Sequence, residues 1–251
     1  MIVTGGSMGI GEGCVRAYHA AGAKVVYCSR KSNGLEAQLN AMDGPGEATW
    51  IKCDVSNEGE IAALIAATVE KYGAIDVLLN NAGWHPPPLP IDEFSTQDLR
   101  DLFQLNFVSY FLACKLALPE LRKSKGNIIN MSSWVGAYGQ SQAVTYSATK
   151  GAITSFSKSL AIDEAKAGVR VNVISPGNIW TPLWKSWSDG EVDPEAAVMS
   201  GDTVQPLDGG RKGSIAESGR LALAISADLT FTTGVDHILS GGAELGYGVK
   251  A

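Results

Sequence analysis

Cysteine and histidine are scarce in this sequence, and neither is arranged as in a metal site. The 251 residues include three dispersed histidines and four cysteines that lie far apart: Cys14, Cys28, Cys53 and Cys114. Their spacing is not that of zinc ligands, and their density is not that of a secreted disulfide scaffold. Two of them end apolar runs, so we interpret the four as small buried hydrophobes in a reducing compartment. The sequence predicts no metal ion.

Positive charge is also in deficit, and long apolar runs are missing. Lys and Arg number 20 against 26 Asp and Glu, which gives a net charge of −6. A nucleic-acid partner requires a basic surface instead. No apolar run has the length of a membrane span, and Met1 to Val3 lead directly into Thr4-Gly5 without a secretory signal. We therefore expect a cytoplasmic protein that binds neither nucleic acid nor a membrane.

Short apolar runs alternate along the chain with helix-length amphipathic segments. Because the runs are apolar throughout, they are typical of parallel strands covered on both faces. The pattern predicts one α/β domain over residues 1–251, a doubly wound, Rossmann-type sheet of seven parallel strands with helices on both faces. Helices are predicted at Gly11–Ala21, Glu58–Tyr72 and Tyr146–Ala167, each closed by a glycine. Strands are predicted near Ile2–Thr4, Lys24–Cys28, Thr49–Cys53, Val77–Asn80, Gly126–Met131, Arg170–Ile174 and Val235–Leu239.

One region, residues 181–213, interrupts this alternation. It has no clear periodicity and contains Trp184, Trp187 and the pair Gly209-Gly210. A long irregular insertion in a compact domain is usually functional, so we interpret it as a substrate-binding lid over a pocket. A disordered surface loop is the alternative, which the tryptophans make weaker.

A glycine-rich turn, Thr4-Gly5-Gly6-Ser7-Met8-Gly9-Ile10-Gly11, follows the first predicted strand and opens a helix. This is the context that a dinucleotide fingerprint requires. Gly5 permits the tight turn, while Gly9 and Gly11 allow a pyrophosphate to approach the backbone and the positive end of the helix.

A second turn of small residues, Asn80-Asn81-Ala82-Gly83, directly follows the fourth predicted strand. Small side chains there let a ligand approach the backbone, and Asn tolerates strained turns. An ordinary turn would explain this motif equally well if it stood alone.

Ser133, Tyr146 and Lys150 occur with S-x12-Y-x3-K spacing, and Ser133 follows the fifth predicted strand. Tyr146 and Lys150 are four residues apart and share one face of a helix. A free tyrosine has a pKa of ~10 and is a poor base at neutral pH, but a neighbouring ammonium favours its phenolate. An unrelated serine beside a surface Tyr–Lys pair is the alternative, and it fits poorly in a sheet that also carries a phosphate-binding turn.

These motifs, together with Pro176-Gly177, occur in the order and spacing of one family. The sequence resembles the short-chain dehydrogenase/reductase family over essentially its whole length. The resemblance implies an NAD(P)-dependent oxidoreductase that interconverts a secondary alcohol and a ketone. Its catalytic residues would be a general acid/base, a lysine that lowers the pKa of this base, a serine that orients the substrate oxygen and an asparagine that holds a relay water: Tyr146, Lys150, Ser133 and Asn106.

The same resemblance implies the cofactor contacts. Asp54 would bond the adenine, and Thr181 would bond the nicotinamide carboxamide. The full set implied is Gly5, Ser7, Gly9, Ile10, Gly11, Ser29, Arg30, Lys31, Asp54, Val55, Asn81, Ala82, Gly83, Tyr146, Lys150, Pro176, Gly177, Ile179 and Thr181.

Longer stretches such as NAGWHPPP, SPGNIWTPLW and GGAELGYG are similar to the 17β-hydroxysteroid dehydrogenase type 14 subgroup of that family. The subgroup is associated with NAD-linked oxidation of 17β-hydroxysteroids and of the sugar L-fucose, and family members are commonly homotetramers. A broad NADPH-dependent carbonyl reductase, or a cofactor-sensing scaffold without turnover, are the alternatives. Substrate contacts are implied at His85, Ser133, Gln140, Trp180 and Trp184, with packing as the other role open to them.

The cofactor strand departs from the subgroup at Ser29, where the subgroup has an acid. An acidic residue there would bond the ribose 2′-hydroxyl and repel a 2′-phosphate, whereas arginine accommodates that phosphate. Ser29 removes the repulsion, and Arg30 and Lys31 supply donors. We therefore favour NADP(H) over NAD(H), with stacking of Arg30 on the adenine as the alternative.

Overall fold

A computed structural model describes residues 1–245 of the chain. Its sheet has seven strands in the order β3-β2-β1-β4-β5-β6-β7, and all neighbouring strands are parallel. This confirms the predicted doubly wound sheet, with small shifts at the strand ends. The strands are β1 (Ile2–Thr4), β2 (Lys24–Ser29), β3 (Glu47–Lys52), β4 (Val77–Asn80), β5 (Asn127–Met131), β6 (Arg170–Pro176) and β7 (Asp236–Leu239).

The helices cover both faces of the sheet, as adjacent strand residues require. Ile2 and Val3 are both fully buried, but they belong to different cores. Ile2 lies in the core under α3 (Glu58–Tyr72), α5 (Ser109–Ser124) and α7 (Val144–Glu164). Val3 lies in the core under α1 (Gly9–Ala20), α2 (Leu35–Asn40) and α10 (Ile215–Ala227). Leu78 and Leu79 of β4 divide in the same way. Within residues 1–245 the α-helices are α1 (Gly9–Ala20), α2 (Leu35–Asn40), α3 (Glu58–Tyr72), α4 (Thr96–Phe103), α5 (Ser109–Ser124), α6 (Val135–Tyr138), α7 (Val144–Glu164), α8 (Pro182–Asp189), α9 (Pro194–Thr203) and α10 (Ile215–Ala227).

The strand order reverses between β1 and β4, because the chain moves outward from β1 to β3 and then returns to the other side of β1. In such sheets a crevice opens beyond the carboxyl ends of the two strands at the reversal, and ligands bind there. The glycine-rich turn after β1 and the turn Asn80–Gly83 after β4 both lie at this crevice.

The segment 181–213 is not irregular, and that expectation is wrong. It folds into α8 and α9, whose first turns are capped by Thr181 and Asp193: Thr181 accepts a hydrogen bond from the Trp184 amide at 3.2 Å, and Asp193 accepts one from the Ala196 amide at 3.0 Å. A proline occupies the first turn of each helix, where its missing N–H costs nothing. Helix initiation by local capping therefore organises the predicted lid.

The helical stretch Thr96–Ser124 passes the length and hydropathy tests for a membrane span among the described residues, with 29 residues and a mean hydropathy of 1.3 in its most apolar window. Its α5 part contributes Ala113, Ala117 and Leu121 to the core beneath the sheet. A π-helical turn, Gln104–Val108, joins α4 to α5. Buried core helices of α/β proteins pass the same test, and this stretch packs as one.

Candidate active site

The turn after β1 has the backbone shape of a phosphate cradle. Gly5 and Gly9 have φ values of +65° and +58°, a region that favours glycine. The helix that follows begins at Gly9. Within residues 1–245 its N-cap residue, Met8, provides no side-chain hydrogen bond to the first turn, so the first N–H groups face the crevice. Gly11 is also required for packing, since a Cβ there would collide with the carbonyl oxygen of Gly5. Gly11 therefore lets the helix pack on the turn.

The turn after β4 braces this cradle. The Asn81 amide group donates to the carbonyl oxygens of Thr4 and Gly5, both at 3.1 Å, and the Asn81 N–H donates to Thr4 Oγ1 at 2.9 Å. Ala82 also packs against the cradle, because a Cβ on Gly5 would lie 2.9 Å from the Ala82 Cα. The two small-residue turns are thus one unit, and the ordinary-turn interpretation of Asn80–Gly83 does not account for these contacts. The cradle fits a dinucleotide pyrophosphate.

Ser133, Tyr146 and Lys150 converge beside the cradle at the carboxyl end of β5. The Ser133 hydroxyl lies close enough to the Tyr146 phenol to lower its pKa. Ser133 Oγ also donates to the Pro176 carbonyl at 3.4 Å. The Lys150 Nζ lies 5.6 Å from the centre of the Tyr146 ring and donates to the Met131 carbonyl at 2.9 Å. A hydroxyl, a phenol and an amine therefore share one pocket.

Burial moves the two pKa values of this pair in opposite directions. It raises the pKa of Tyr146 to about 12, although the hydrogen bond with Ser133 lowers it. It lowers the pKa of Lys150 to about 7. In the cofactor-free protein desolvation disfavours both charged forms, so the role of Lys150 in lowering the tyrosine pKa stays a prediction for the loaded enzyme.

Asn106 lies in the middle of the π-helical turn and is completely buried. Its side chain accepts from the Trp84 N–H at 2.9 Å and donates to the Trp84 carbonyl at 2.9 Å and to Thr149 Oγ1 at 3.1 Å. The side chain therefore ties the loop after Gly83 to the helix that carries Tyr146. Both side-chain donors are thereby used, whereas the amide oxygen has a second lone pair and the relay-water role stays a prediction.

A family model described as short chain dehydrogenase matches residues 1–192. The chain belongs to the short-chain dehydrogenase family. It is 50% identical over 251 residues to L-fucose dehydrogenase of Rattus norvegicus, covering 100% of this chain and 91% of the relative. The crystal structure of Cj0485 dehydrogenase has a TM-score of 0.90 and 31% identity, covering 96% of this chain and 92% of that one. The ligand-free aldohexose dehydrogenase of Thermoplasma acidophilum has a TM-score of 0.88 and 28% identity, covering 100% and 95%.

This short-chain dehydrogenase is therefore an oxidoreductase that acts on CH–OH groups with a nicotinamide nucleotide. Such a cofactor transfers hydride to and from carbon, and the protein supplies the binding surface and the proton. The cradle at Gly5–Gly11 and the phenol of Tyr146 lie on the same edge of the sheet, as that chemistry requires.

At the adenosine end of the dehydrogenase, the Ser29 hydroxyl is already engaged. It donates to the Lys31 carbonyl at 2.7 Å and accepts from Trp50 Nε1 at 2.9 Å. Arg30 and Lys31 are exposed beside it. Hydrogen bonds from Ser56 lower the pKa of the Asp54 carboxyl, and the charge of Arg30 lowers it further.

The remaining predicted cofactor positions differ in their burial and in their neighbours. Ser7 and Val55 are buried, while Ile10 is partly exposed at the first turn of α1. Ile179 is also buried and forms a bridge with Gly213. Thr181 borders the cradle, because its Cγ2 would lie 3.5 Å from a Cβ on Gly9. Gly177 is in tight contact with the 240 region, since a Cβ there would lie 3.0 Å from Ser240 Cα.

On the substrate side, the structure brings together His85 and Tyr146, whose ring centres are 4.1 Å apart. His85 Nδ1 donates to the Pro86 carbonyl at 2.6 Å, so its Nε2 is left for a ligand. Trp180 is 45% exposed and Trp184 stacks behind it at 6.2 Å. Gln140 is exposed, and its side chain makes no hydrogen bond within residues 1–245. It stays a predicted contact only.

Sequence reasoning missed Thr149, Met131 and Lys212. Thr149 holds Asn106, and the Met131 carbonyl holds the amine of Lys150. A main-chain acceptor has no sequence signal, whereas Thr149 lies directly before Lys150 in the motif. Lys212 has a buried side chain under the tryptophans of the predicted lid, and a single lysine between Arg211 and Gly213 gives no hint of that environment.

Proposed function

We propose that this protein dehydrogenates a free sugar of the L-fucose type, with NADP(H) as the favoured cofactor. The observation that carries the proposal is the 50% identity over the whole chain to an L-fucose dehydrogenase. The sheet edge adds chemical support, because His85 Nε2 is an acceptor beside Tyr146 and could bond a second hydroxyl of a polyol. A simple ketone would offer no such group.

In this proposal Tyr146 exchanges a proton with the substrate oxygen while hydride passes between the substrate carbon and the cofactor. Ser133 holds that oxygen by hydrogen bonding, since its hydroxyl lies beside the phenol and lowers the pKa of Tyr146. When bound, the oxidised nicotinamide supplies the hydride acceptor and a positive charge. In alcohol oxidation the C–H carbon loses a hydride, which carries both electrons, and the O–H proton goes separately to the Tyr146 phenolate.

Lys150 stabilises the phenolate that oxidation needs. Its Nζ lies 5.6 Å from the phenol ring, close enough for an ammonium to favour the anion in surroundings of low polarity. The Met131 carbonyl fixes the amine on that side of the ring at 2.9 Å. Asn106 acts through the backbone at Trp84, which it holds with two hydrogen bonds, and so keeps His85 against the pocket.

The preference for NADP(H) rests on the end of β2. Ser29 carries no charge that would repel a 2′-phosphate, and Arg30 and Lys31 are exposed donors next to it. The ribose-binding carboxylate typical of NAD-linked relatives has no counterpart at residue 29.

A 17β-hydroxysteroid is the second candidate substrate, and one observation favours it. Trp180 presents 45% of its surface beside the pocket, and a flat apolar ring system packs well on an exposed indole. A broad carbonyl reductase would use the same tetrad in the opposite direction.

A homotetramer is the proposed assembly, supported by an apolar groove between α5 and α7. Phe111 is 47% exposed in this groove, and the bidentate pair of Arg122 with Glu164 closes one end. The groove is lined by Phe111, Cys114, Leu118, Pro119, Phe156 and Leu160. An exposed apolar surface of this kind is typical of an interface.

The test is a panel of L-fucose, other aldoses, 17β-hydroxysteroids and small ketones, each assayed with both cofactors. Tyr146→Phe is the control that separates turnover by this site from a contaminating activity. The proposal predicts the highest kcat/KM for L-fucose or a related aldose with NADP+. Turnover of steroids alone would replace the sugar by the second candidate, and turnover unaffected by Tyr146→Phe would contradict the site.

A further inference from the structure

Lys212 is a buried cation in the lid. Its side chain is 3% exposed, and its Nζ donates to the Val198 carbonyl at 2.7 Å and to Asp202 Oδ1 at 2.9 Å. Its backbone N–H donates to the same carboxylate at 3.0 Å. A buried ammonium is retained only where its donors are satisfied, so these acceptors on α9 hold Lys212 in place.

The remaining face of the ammonium lies over indole rings. Its Nζ is 4.0 Å from the centre of Trp184 and 5.5 Å from the centre of Trp180. Trp187 packs edge-on against Trp184 at 4.8 Å. The space is tight, because a Cβ on Gly201 would overlap the Trp184 ring. Cation–π attraction therefore fixes the orientation of Trp184 on α8.

Lys212 also belongs to the segment that joins the lid to the cofactor edge. Gly213, its neighbour, donates to the Asn178 carbonyl at 2.9 Å and accepts from the Trp180 N–H at 2.8 Å. Trp180 is directly followed by Thr181, which borders Gly9 of the cradle. The Lys212 side chain thus contacts α8 and α9, and the backbone hydrogen bonds of the next residue, Gly213, join it to Trp180.

We infer that Lys212 is a positioning residue that orients the tryptophan wall, Trp180 and Trp184, beside the cofactor cradle and so determines substrate affinity. The inference rests on the proposed function in one respect, namely that this wall contacts the substrate. Lys212 itself touches neither substrate nor cofactor, and acts by holding the indole that supports Trp180. Loss of the ammonium frees Trp184 to rotate, and the wall then has to be ordered by the substrate.

The first experiment is Lys212→Met, which keeps the aliphatic stem and removes the charge and its hydrogen bonds. We expect the substrate KM to rise about tenfold, equivalent to about 1.4 kcal/mol, with kcat and the cofactor Kd within about twofold of wild type. Lys212→Arg retains a charge that stacks on indole and should recover most of the affinity. Lys185→Met is the matched control, because Lys185 lies on the same helix as Trp184 but pairs with Asp189 at the surface.

The second experiment needs no substrate and therefore separates this inference from the proposed function. Acrylamide quenching of tryptophan fluorescence should increase in Lys212→Met and stay at the wild-type level in Lys185→Met. Trp184→Leu identifies the Trp184 signal, and in a double-mutant cycle on KM it should couple to Lys212→Met but not to Lys185→Met.

Unchanged quenching and unchanged KM in Lys212→Met would overturn the inference. A fall in kcat and thermal stability at constant KM would overturn it as well, because it indicates a structural role only. If Lys212→Met does not fold, Trp184→Leu takes its place: a tenfold rise in KM supports the inference, and a wild-type KM contradicts it.

Discussion

Removing the guanidinium of Arg30 tests the cofactor preference most directly. Arg30 is exposed at the end of β2, on the side of Asp54, and the neighbouring Ser29 hydroxyl is engaged by Lys31 and Trp50. A charge-assisted hydrogen bond contributes about 1.5–3 kcal/mol, but solvent screening at an exposed site reduces this towards the lower end. We therefore expect Arg30→Ala to weaken NADPH binding roughly tenfold and to leave NADH binding almost unchanged.

Ser29→Asp should have the larger effect on preference. A carboxylate at this position would still accept the hydrogen bond from Trp50 Nε1, which now ends on the Ser29 oxygen at 2.9 Å. It would repel a 2′-phosphate and would accept a bond from the ribose hydroxyls of NADH. The double variant with Arg30→Ala should invert the preference. Lys24→Ala is the control, since Lys24 is an exposed cation at the opposite end of the same strand.

The assay is the ratio of kcat/KM for the two cofactors in the wild type and each variant. A wild type that already prefers NADH would contradict the interpretation of Ser29 to Lys31. Arg30 would then stack on the adenine without distinguishing the cofactors, and the catalytic proposal would be unaffected.

Three further predictions concern catalysis, pH and assembly. Tyr146→Phe should retain cofactor affinity and lose ~10²–10⁴-fold in turnover, and a nearly wild-type rate would refute the proposed acid/base. Burial lowers the pKa of Lys150 to about 7, so between that pH and about 10.5 the unfolded chain binds more protons than the folded one. The Tm of the cofactor-free protein should therefore rise with pH in this window. The variant Lys150→Met should abolish the rise. Light scattering should show a tetramer for the wild type and smaller species for Phe111→Glu, whereas a monomeric wild type at micromolar concentration rules the assembly out.

The fold could be predicted because burial and chain reversal leave local signals. Apolar runs such as Val25–Cys28 are buried on both faces, which only an internal parallel strand requires. Gly73 and Gly168 end their helical segments in the left-handed region, with φ of 74° and 79°, as glycines after amphipathic helices predict. The positions of Tyr146 and Lys150 follow in turn, since their spacing fixes them on one helix face at a known edge of the sheet.

The two helices of the predicted lid could not be predicted by periodicity, because they have only eight and ten residues. Other signals were present: Thr181-Pro182 and Asp193-Pro194 each combine a capping side chain with a proline at the first helical position. Lys212 is a harder case. Its acceptors are Val198 and Asp202, and its aromatic partner is Trp184, so its environment exists only once α8 and α9 have packed together.

The pKa values of Tyr146 and Lys150 in the cofactor-free protein show why their spacing in the sequence alone did not predict them. Four residues of helix place Lys150 near Tyr146, and in water an ammonium at that distance favours the phenolate. In the folded protein both groups are desolvated, so the neutral phenol and the neutral amine gain relative to the ion pair, with pKa values of about 12 and about 7. Proton transfer from Tyr146 to Lys150 would create two charges in surroundings that stabilise neither. The protein alone therefore holds Tyr146 ready to donate a proton, and its use as a base in alcohol oxidation depends on positive charge brought into the same pocket.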